Sequence, residues 1–570
     1  MFPIGRVFYC ALPSTNPSSM TQISEQSKFR PHIFPAMLAG LVWLVTMYEL
    51  DVAGSYLNCP EGPGLTLDET FNASAGVFYI RGVQSLGLAT LHPEATQDIW
   101  SFLPDHPPLG RLWLGLCHEI TQAIFPPHEE QAAHFFNVTC ARVGSASAFA
   151  ALVFLVSICA TSWYGALPGI VAGLSLVLMP RVFGHAHLAS LETFVGLTYT
   201  AAALSVVHFW SGERPPTWKT ACFTGMIFGL ALLSKMQAVL LVVPIAGWAF
   251  CTLRKRSIVP LVLFFGTGLL VFFLGWPWLW TNPVSNLLAY FGQATDRIHL
   301  YTWYFGSRYL DTSVPWHYPW VMFLVTVPVG LHAVGFWQFV RGSVKPWQQK
   351  REQLILATCF FPLLVFSLPG VTVYDGARLF LICFPLWAIL IGRGSQTILL
   401  GLQRKLSRKS ATIAFLAFLS VQSLGLFLTR PCYLSYYNVL VGGVTGAEKL
   451  GLEINYWGDG VTRSLLEQAV QQVPAGADIY VSPVLHQLQL RELLAQSPVL
   501  QRHGVKLVPY DEKTSTDARY LLVFQRKADI SKGLKSTLNS AKKLASTDRQ
   551  GVVLAAIYDL SAKRSERPGP

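Results

Sequence analysis

The chain has 570 residues, 52% of them hydrophobic and only 13% charged, with a mean hydropathy of +0.40, a balance that argues against a water-soluble enzyme of this size. Its formal net charge is +12, yet no basic stripe with interleaved aromatics appears, so nucleic acid is not an expected partner. The charge is instead a topology signal, because short cytoplasmic loops of membrane proteins retain Lys and Arg.

In chain order, residues 1–32 are polar and rich in Ser and Pro, too weakly apolar for a cleaved secretory signal, so the first apolar run is predicted to remain as an anchor. From Ile33 to Thr429 we expect about eleven transmembrane helices, since a ~30 Å hydrocarbon core needs roughly 20 apolar residues. They lie near 33–50, 143–161, 166–180, 193–210, 220–234, 237–253, 258–276, 319–340, 354–369, 379–395 and 411–429. Basic residues recur at alternate ends. Lys28 and Arg30 precede the first run, Arg214 and Lys219 follow the fourth, and Arg254, Lys255 and Arg256 follow the sixth. Arg341, Lys345, Lys350 and Arg351 follow the eighth, and Arg393, Arg404, Lys405, Arg408 and Lys409 surround the end of the tenth. With an odd number of spans this places the N-terminus in the cytoplasm and the C-terminal tail outside a cell (inner or plasma) membrane.

Two outward segments stand out. Residues 51–142 form a long first loop with stretches near 70–90 and 108–125 that are apolar or amphipathic but too short to span, as expected of helices lying on the membrane surface. A second loop, from Pro277 to Pro319, is rich in Trp and Tyr, the composition of an aromatic belt at headgroup level. After Arg430 the composition becomes that of a soluble domain. Strand-like runs at 478–484, 520–525 and 552–559 alternate with helix-like runs near 461–472, 486–496 and 530–545, which predicts a small α/β domain over 431–570. The fold class is therefore an α-helical polytopic membrane protein over 33–430 with an extracytoplasmic α/β tail. Most of the ten cysteines fall inside apolar runs. Cys59, Cys117, Cys140 and Cys432 face outward and could pair, though no spacing argues for it over free thiols.

By this topology the notable acidic residues share one face: Asp68 and Glu69 in LTLDET, Asp105 in PDHPPLGR, Glu192 in HAHLASLET and Asp375 in YDGARLF. Loop carboxylates are usually only solvated, and an acid at a helix start stabilises its first turn. These acids, however, keep company with the outward cations Arg142, Lys235 and Arg378. Fixed cations and carboxylates at a lipid boundary suit transfer of a group from a lipid phosphate, the cations holding the phosphate and a carboxylate taking a proton from the attacking hydroxyl.

These motifs resemble those of the GT-C superfamily of membrane glycosyltransferases, in the branch similar to dolichyl-phosphate-mannose protein mannosyltransferases and lipid A aminoarabinose transferases. Asp68-Glu69 looks like the acidic motif of that family, and Asp105-His106-Pro107-Pro108-Leu109-Gly110-Arg111 like its HPPL element. GLALLSK ending at Lys235 and YDGARLFLICFPLWAIL around Arg378 fit the same pattern, and the segment from Pro431 to Gly460 resembles one in bacterial members. The resemblance implies a polyprenyl-phosphate-linked sugar donor and an inverting single displacement onto a protein, lipid or glycan hydroxyl. It implies Asp68 as general base, Glu69 orienting the acceptor or Asp68, and Arg378, Lys235, Arg142 and Arg111 as candidates to bind the donor phosphate. Asp105, His106 and Glu192 are candidate acceptor-side groups, and with His185 and His187 they could ligate an optional divalent metal; no cofactor is required. Asp375 is expected to support the turn that presents Arg378. The competing classes are a secondary transporter, which should show repeated halves and midplane charges, and a non-catalytic membrane scaffold. The sequons at Asn72 and Asn137 face outward and matter only in a cell that N-glycosylates.

Overall fold

The computed structural model describes residues 32–561 apart from 57, 128–133, 293–297 and 343–344. The expected N-terminal cytoplasmic tail thus lies outside the described residues. Every apolar run expected to span is helical. Among the described residues, five helical runs are long and apolar enough to cross a membrane: Val138–Tyr164, Leu191–Trp210, Met236–Leu274, Cys383–Leu402 and Arg408–Thr429. The helices Ile33–Met47, Ala166–Val177 and Trp218–Leu232 are apolar but shorter.

One feature agrees with the expected list of eleven and one modifies it. The Met236–Leu274 run covers 39 residues, close to twice what a ~30 Å core needs at about 1.5 Å per residue. It breaks at Arg254, which adopts φ +53, and the basic turn Arg254–Ser257 separates the two halves in the way the charge pattern anticipated. The expected span at 319–340 is instead two helices, Tyr318–Val325 and Val329–Arg341, bent by 110°. Pro328 precedes the second helix in extended conformation; proline has no N–H to continue a helix and fixes its own φ.

The first loop holds helices Leu67–Leu86 and Leu109–Ile124. They cross without side chains between them. A Cβ on Gly115 would lie 2.1 Å from the Gly76 carbonyl oxygen, and one on Gly76 would lie 2.3 Å from the Arg111 carbonyl oxygen, so only glycine permits this backbone approach. The aromatic second loop contains an unexpected hairpin, β1 (Tyr301–Tyr304) and β2 (Ser307–Leu310), turned at Phe305 and Gly306, both with positive φ.

The tail forms a five-stranded sheet in the order β4-β3-β5-β7-β6, where β3 is Asp478–Ser482, β4 Lys506–Pro509, β5 Tyr520–Phe524, β6 Lys542–Arg549 and β7 Val552–Asp559. The strands β4, β3 and β5 run parallel, and β7 pairs antiparallel with β5 and β6. Central β5 is buried on both faces. Leu522 and Phe524 pack with Leu465, Leu466 and Ala469, whereas Leu521 and Val523 pack with Leu534, on the other side, the period-two alternation of a sheet covered twice. The strands β4 and β6 were not expected. The helix predicted to reach 545 ends at Ser540, and β6 turns into β7 at Gln550-Gly551, both with positive φ. The core containing Leu522 also takes in Ala73, Val77, Leu114 and Leu191, so the tail domain is welded to the first-loop helices.

Candidate active site

The sequence Thr66-Leu67-Asp68-Glu69 closes helix Leu67–Leu86 with a capping box. Glu69, at the third helical position, turns back so that its Oε2 accepts from the Thr66 backbone N–H at 3.0 Å and from its hydroxyl at 3.1 Å. The same carboxylate receives Arg142 through Nε to Oε1 (2.7 Å) and Nη2 to Oε2 (2.8 Å), and the Ala189 N–H donates to Oε1 at 2.7 Å. Both side chains are fully buried. Arg142 gives its remaining donors to the carbonyls of Leu50, Pro63 and Gly64. Neither residue lines the large cavity described below. Glu69 was expected to orient the acceptor or Asp68 and Arg142 to hold a phosphate; in the structure the two neutralise each other and tie the first loop to helix Val138–Tyr164.

The capping turn aims Asp68 the other way, into a cavity of about 900 Å³. There Asp68 Oδ2 accepts from Arg378 Nη2. Arg378 Nε donates to Glu192 Oε1 at 2.7 Å, and Lys235 Nζ donates to the same oxygen at 2.6 Å. Arg378 Nη1 reaches Asp375 Oδ2 at 3.1 Å, and the guanidinium lies 4.5 Å over the Trp457 ring. Residues far apart in sequence (68, 192, 235, 375 and 378) thus form one ion-pair chain. Glu192 stands in the first turn of helix Leu191–Trp210. Arg378 opens a short 3-10 turn that follows Asp375 and Gly376, at φ +56 and +66. A Cβ on Gly376 would sit 2.5 Å from Arg181 Nη1, so glycine is required there on both counts.

Asp105 and Arg111 make a second group on the same cavity wall, at 2.8 and 3.1 Å in a bidentate pair. Arg111 also donates to Asn72 Oδ1 at 3.2 Å, joining both first-loop helices. His106 Nε2 lies 3.8 Å from Asp105 Oδ2. Electrostatics separate the two acids. Burial pushes the Asp68 carboxyl above the usual aspartate value, with Arg378 opposing the shift. Burial also acts on Asp105, but its electrostatic coupling to His106 and Arg111 outweighs it and holds Asp105 below that value. Burial lowers the His106 imidazole to about 3. Apolar residues, among them Val239, Leu240, Phe291, Ile298 and Val365, line the rest of the cavity.

Among the described residues no group of three or more His, Cys, Asp or Glu side chains is placed to hold a metal. His187 Nδ1 donates to the Phe183 carbonyl at 2.8 Å, and His185 meets the Trp457 ring edge-on. The nine described cysteines are free thiols. Two site residues went unrecognised in the sequence. Trp457 lies in a motif whose role could not be read, and Arg526, which lines the cavity from the tail domain, follows a buried strand with no local signal.

Residues 105–280 match the family model described as dolichyl-phosphate-mannose-protein mannosyltransferase. That segment includes Asp105, His106, Arg111, Arg142, Glu192 and Lys235, and excludes Asp68 and Arg378. No curated protein matches the chain. Among solved structures, the chain is similar to ArnT from Cupriavidus metallidurans, at 14% identity over 94% of this chain and 98% of that one, with TM-score 0.49 in the apo state and 0.48 bound to undecaprenyl phosphate over 99% of that chain. It is also similar to the archaeal oligosaccharyltransferase AglB from Archaeoglobus fulgidus, at 11% identity over 87% of this chain and 70% of that one, TM-score 0.44. The Pmt1-Pmt2 complex of S. cerevisiae matches at 15% identity over 45% of this chain and 35% of that one, TM-score 0.31.

Proposed function

We propose that this chain is a membrane glycosyltransferase that moves a sugar from a polyprenyl-phosphate donor to an acceptor hydroxyl at the outer face of the membrane. The observation that carries the reading is the meeting of Asp68 with Arg378, Glu192 and Lys235 beside a cavity that is also lined by many apolar side chains. The match of residues 105–280 to the mannosyltransferase family model supports it.

In this reading Arg378 and Lys235 take the donor phosphate, and the apolar walls accommodate the first isoprene units. The arriving phosphate competes for the Arg378 donor that Asp68 occupies, which frees the carboxylate at the moment the donor is seated. The acceptor oxygen attacks the anomeric carbon and its proton passes to Asp68. The bond from that carbon to the phosphate oxygen breaks, and its electron pair leaves with the polyprenyl phosphate, whose charge the two cations stabilise. Attack opposite the leaving group inverts the anomeric centre. The raised pKa of Asp68 fits a base, since proton transfer is most effective when that pKa approaches the working pH. In the same reading Asp105 and His106, which line that cavity, hold the acceptor.

The test is sugar transfer from a polyprenyl-phosphate donor by protein reconstituted in lipid. Asp68→Asn should lower kcat by about 10² to 10⁴-fold, the usual worth of a general base; unchanged turnover removes the assignment. Titration with undecaprenyl phosphate tests the cations. Arg378→Ala should weaken its binding, and an unaltered affinity would count against a phosphate site.

A further inference from the structure

Arg526, in the sheet domain, pairs directly with Asp375 of the ion-pair chain at the site. It stands two residues beyond β5, is 1% exposed, and is fixed by its own domain, its backbone N–H donating to the Phe524 carbonyl at 2.9 Å. Its Nε donates to Asp529 Oδ2 at 2.5 Å. Its Nη1 donates to Asp375 Oδ1 of the membrane part at 2.8 Å and to the Tyr456 carbonyl at 2.5 Å.

Asp375 is therefore divided between two arginines. Oδ1 belongs to Arg526, while Oδ2 accepts from Arg378 at 3.1 Å and from Trp457 Nε1 at 3.0 Å. Side chains of Asp375 and Arg526 are 3% and 1% exposed, so little water reaches either partner. If Arg526 were absent, the charge on Oδ1 would be left uncompensated in a buried site. The other cation already on Asp375 is Arg378, whose guanidinium can form a two-toothed pair with one carboxylate. Taking up that pair turns Arg378 away from Glu192 and Asp68, and so away from the place where a phosphate would meet both it and Lys235.

We propose that Arg526 is a positioning residue for phosphate binding: by occupying one oxygen of Asp375 it leaves Arg378 free to serve the cavity, so a competent donor site exists only when the sheet domain is docked. The inference rests on the reading of the cavity as a polyprenyl-phosphate site. It also gives the tail domain a defined part in the reaction, exerted through an arginine that need not touch substrate.

The experiment compares undecaprenyl phosphate binding by the full-length protein in detergent for wild type, R526Q, R526K and the double variant D375N/R526Q, with a thermal melt of each. R526Q should weaken binding about tenfold or more, the scale of a buried charge left unpaired, and R526K should recover most of the loss. In the double variant the uncompensated carboxylate is gone, so binding should exceed that of R526Q by about threefold or more, a non-additivity expected only of coupled neighbours. A merely structural arginine would lower the melting temperature in both R526Q and the double without this recovery. Wild-type affinity in R526Q overturns the proposal, as does a double variant no better than R526Q. If R526Q fails to fold, R526K and the double decide on the same criteria. Absence of undecaprenyl phosphate binding in the wild type overturns the polyprenyl-phosphate reading itself, and this inference with it, an outcome distinct from equal binding by wild type and R526Q.

Discussion

Successive side chains on a helix point about 100° apart, and at the start of helix Leu67–Leu86 that angle separates two carboxylates of opposite use. Glu69 is saturated by Arg142, Thr66 and Ala189, whereas Asp68 faces the cavity and has one arginine partner. Glu69→Gln should therefore act on folding: it leaves the Arg142 charge buried against carbonyls alone, a loss of about 3–5 kcal/mol. The melting temperature in detergent should fall sharply, while Asp68→Asn melts close to wild type and loses turnover. A Glu69→Gln variant that melts normally would show that the pair is not structural. The raised pKa of Asp68 adds a pH signature. A base must be ionised, so kcat/KM should fall on the acid side through an inflection above 3.8, the ordinary aspartate value, and the limb should vanish in Asp68→Asn. An inflection at or below 3.8 would contradict the desolvated setting of the carboxyl.

At the scale of elements, the site depends on how closely two first-loop helices cross. Asp68 begins one, Arg111 belongs to the other, and Gly76 and Gly115 set their separation. Gly115→Ala places a methyl 2.1 Å from a carbonyl oxygen, so the helices must part. A displacement of about 1 Å at a reacting group can cost 10²-fold in rate. Turnover should drop by that order while the cations Arg378 and Lys235, carried on other elements, still bind undecaprenyl phosphate. Equal turnover in Gly115→Ala would show that the crossing does not set the geometry of the site. The capping box that starts this crossing was readable in the sequence as Thr66 followed three residues later by Glu69. The crossing partner was not, because nothing local pairs Gly76 with Gly115.

For the whole molecule, the join between membrane part and tail domain holds two buried acids, Glu453 and Asp459. Burial raises Glu453 from 4.5 to about 8 and Asp459 from 3.8 to about 7, against the pull of Arg526 on the first and of Arg181 and Arg142 on the second. The folded state thus holds protons that the unfolded chain releases above about pH 4. Their stabilising effect is complete below that pH and is lost as pH rises through 7 to 8. At about 1.4 kcal/mol per pKa unit, the Asp459 shift alone is worth on the order of 4 kcal/mol. The unfolding midpoint should therefore fall between pH 5 and pH 9, and Asp459→Asn should flatten the fall; a pH-independent midpoint in the wild type would refute the buried neutral state.

What the sequence determined by itself was everything that depends on composition and local order. Apolar runs needed no partner to be read as helices, because lipid tolerates little else. The residues Asp68, Glu192, Lys235 and Arg378 were singled out because charges beside a membrane are costly without a use. The tertiary structure alone decided which acid faces the cavity, because rotation about one helix start separates Asp68 from Glu69. It also decided that Pro328 bends one expected span by 110°, and that Arg142 serves the fold while Arg526, 148 residues beyond Arg378 in the chain, reaches its support. Those outcomes turn on long-range contacts, in which a buried charge takes whichever partner the packing brings to it, and no local pattern records that choice.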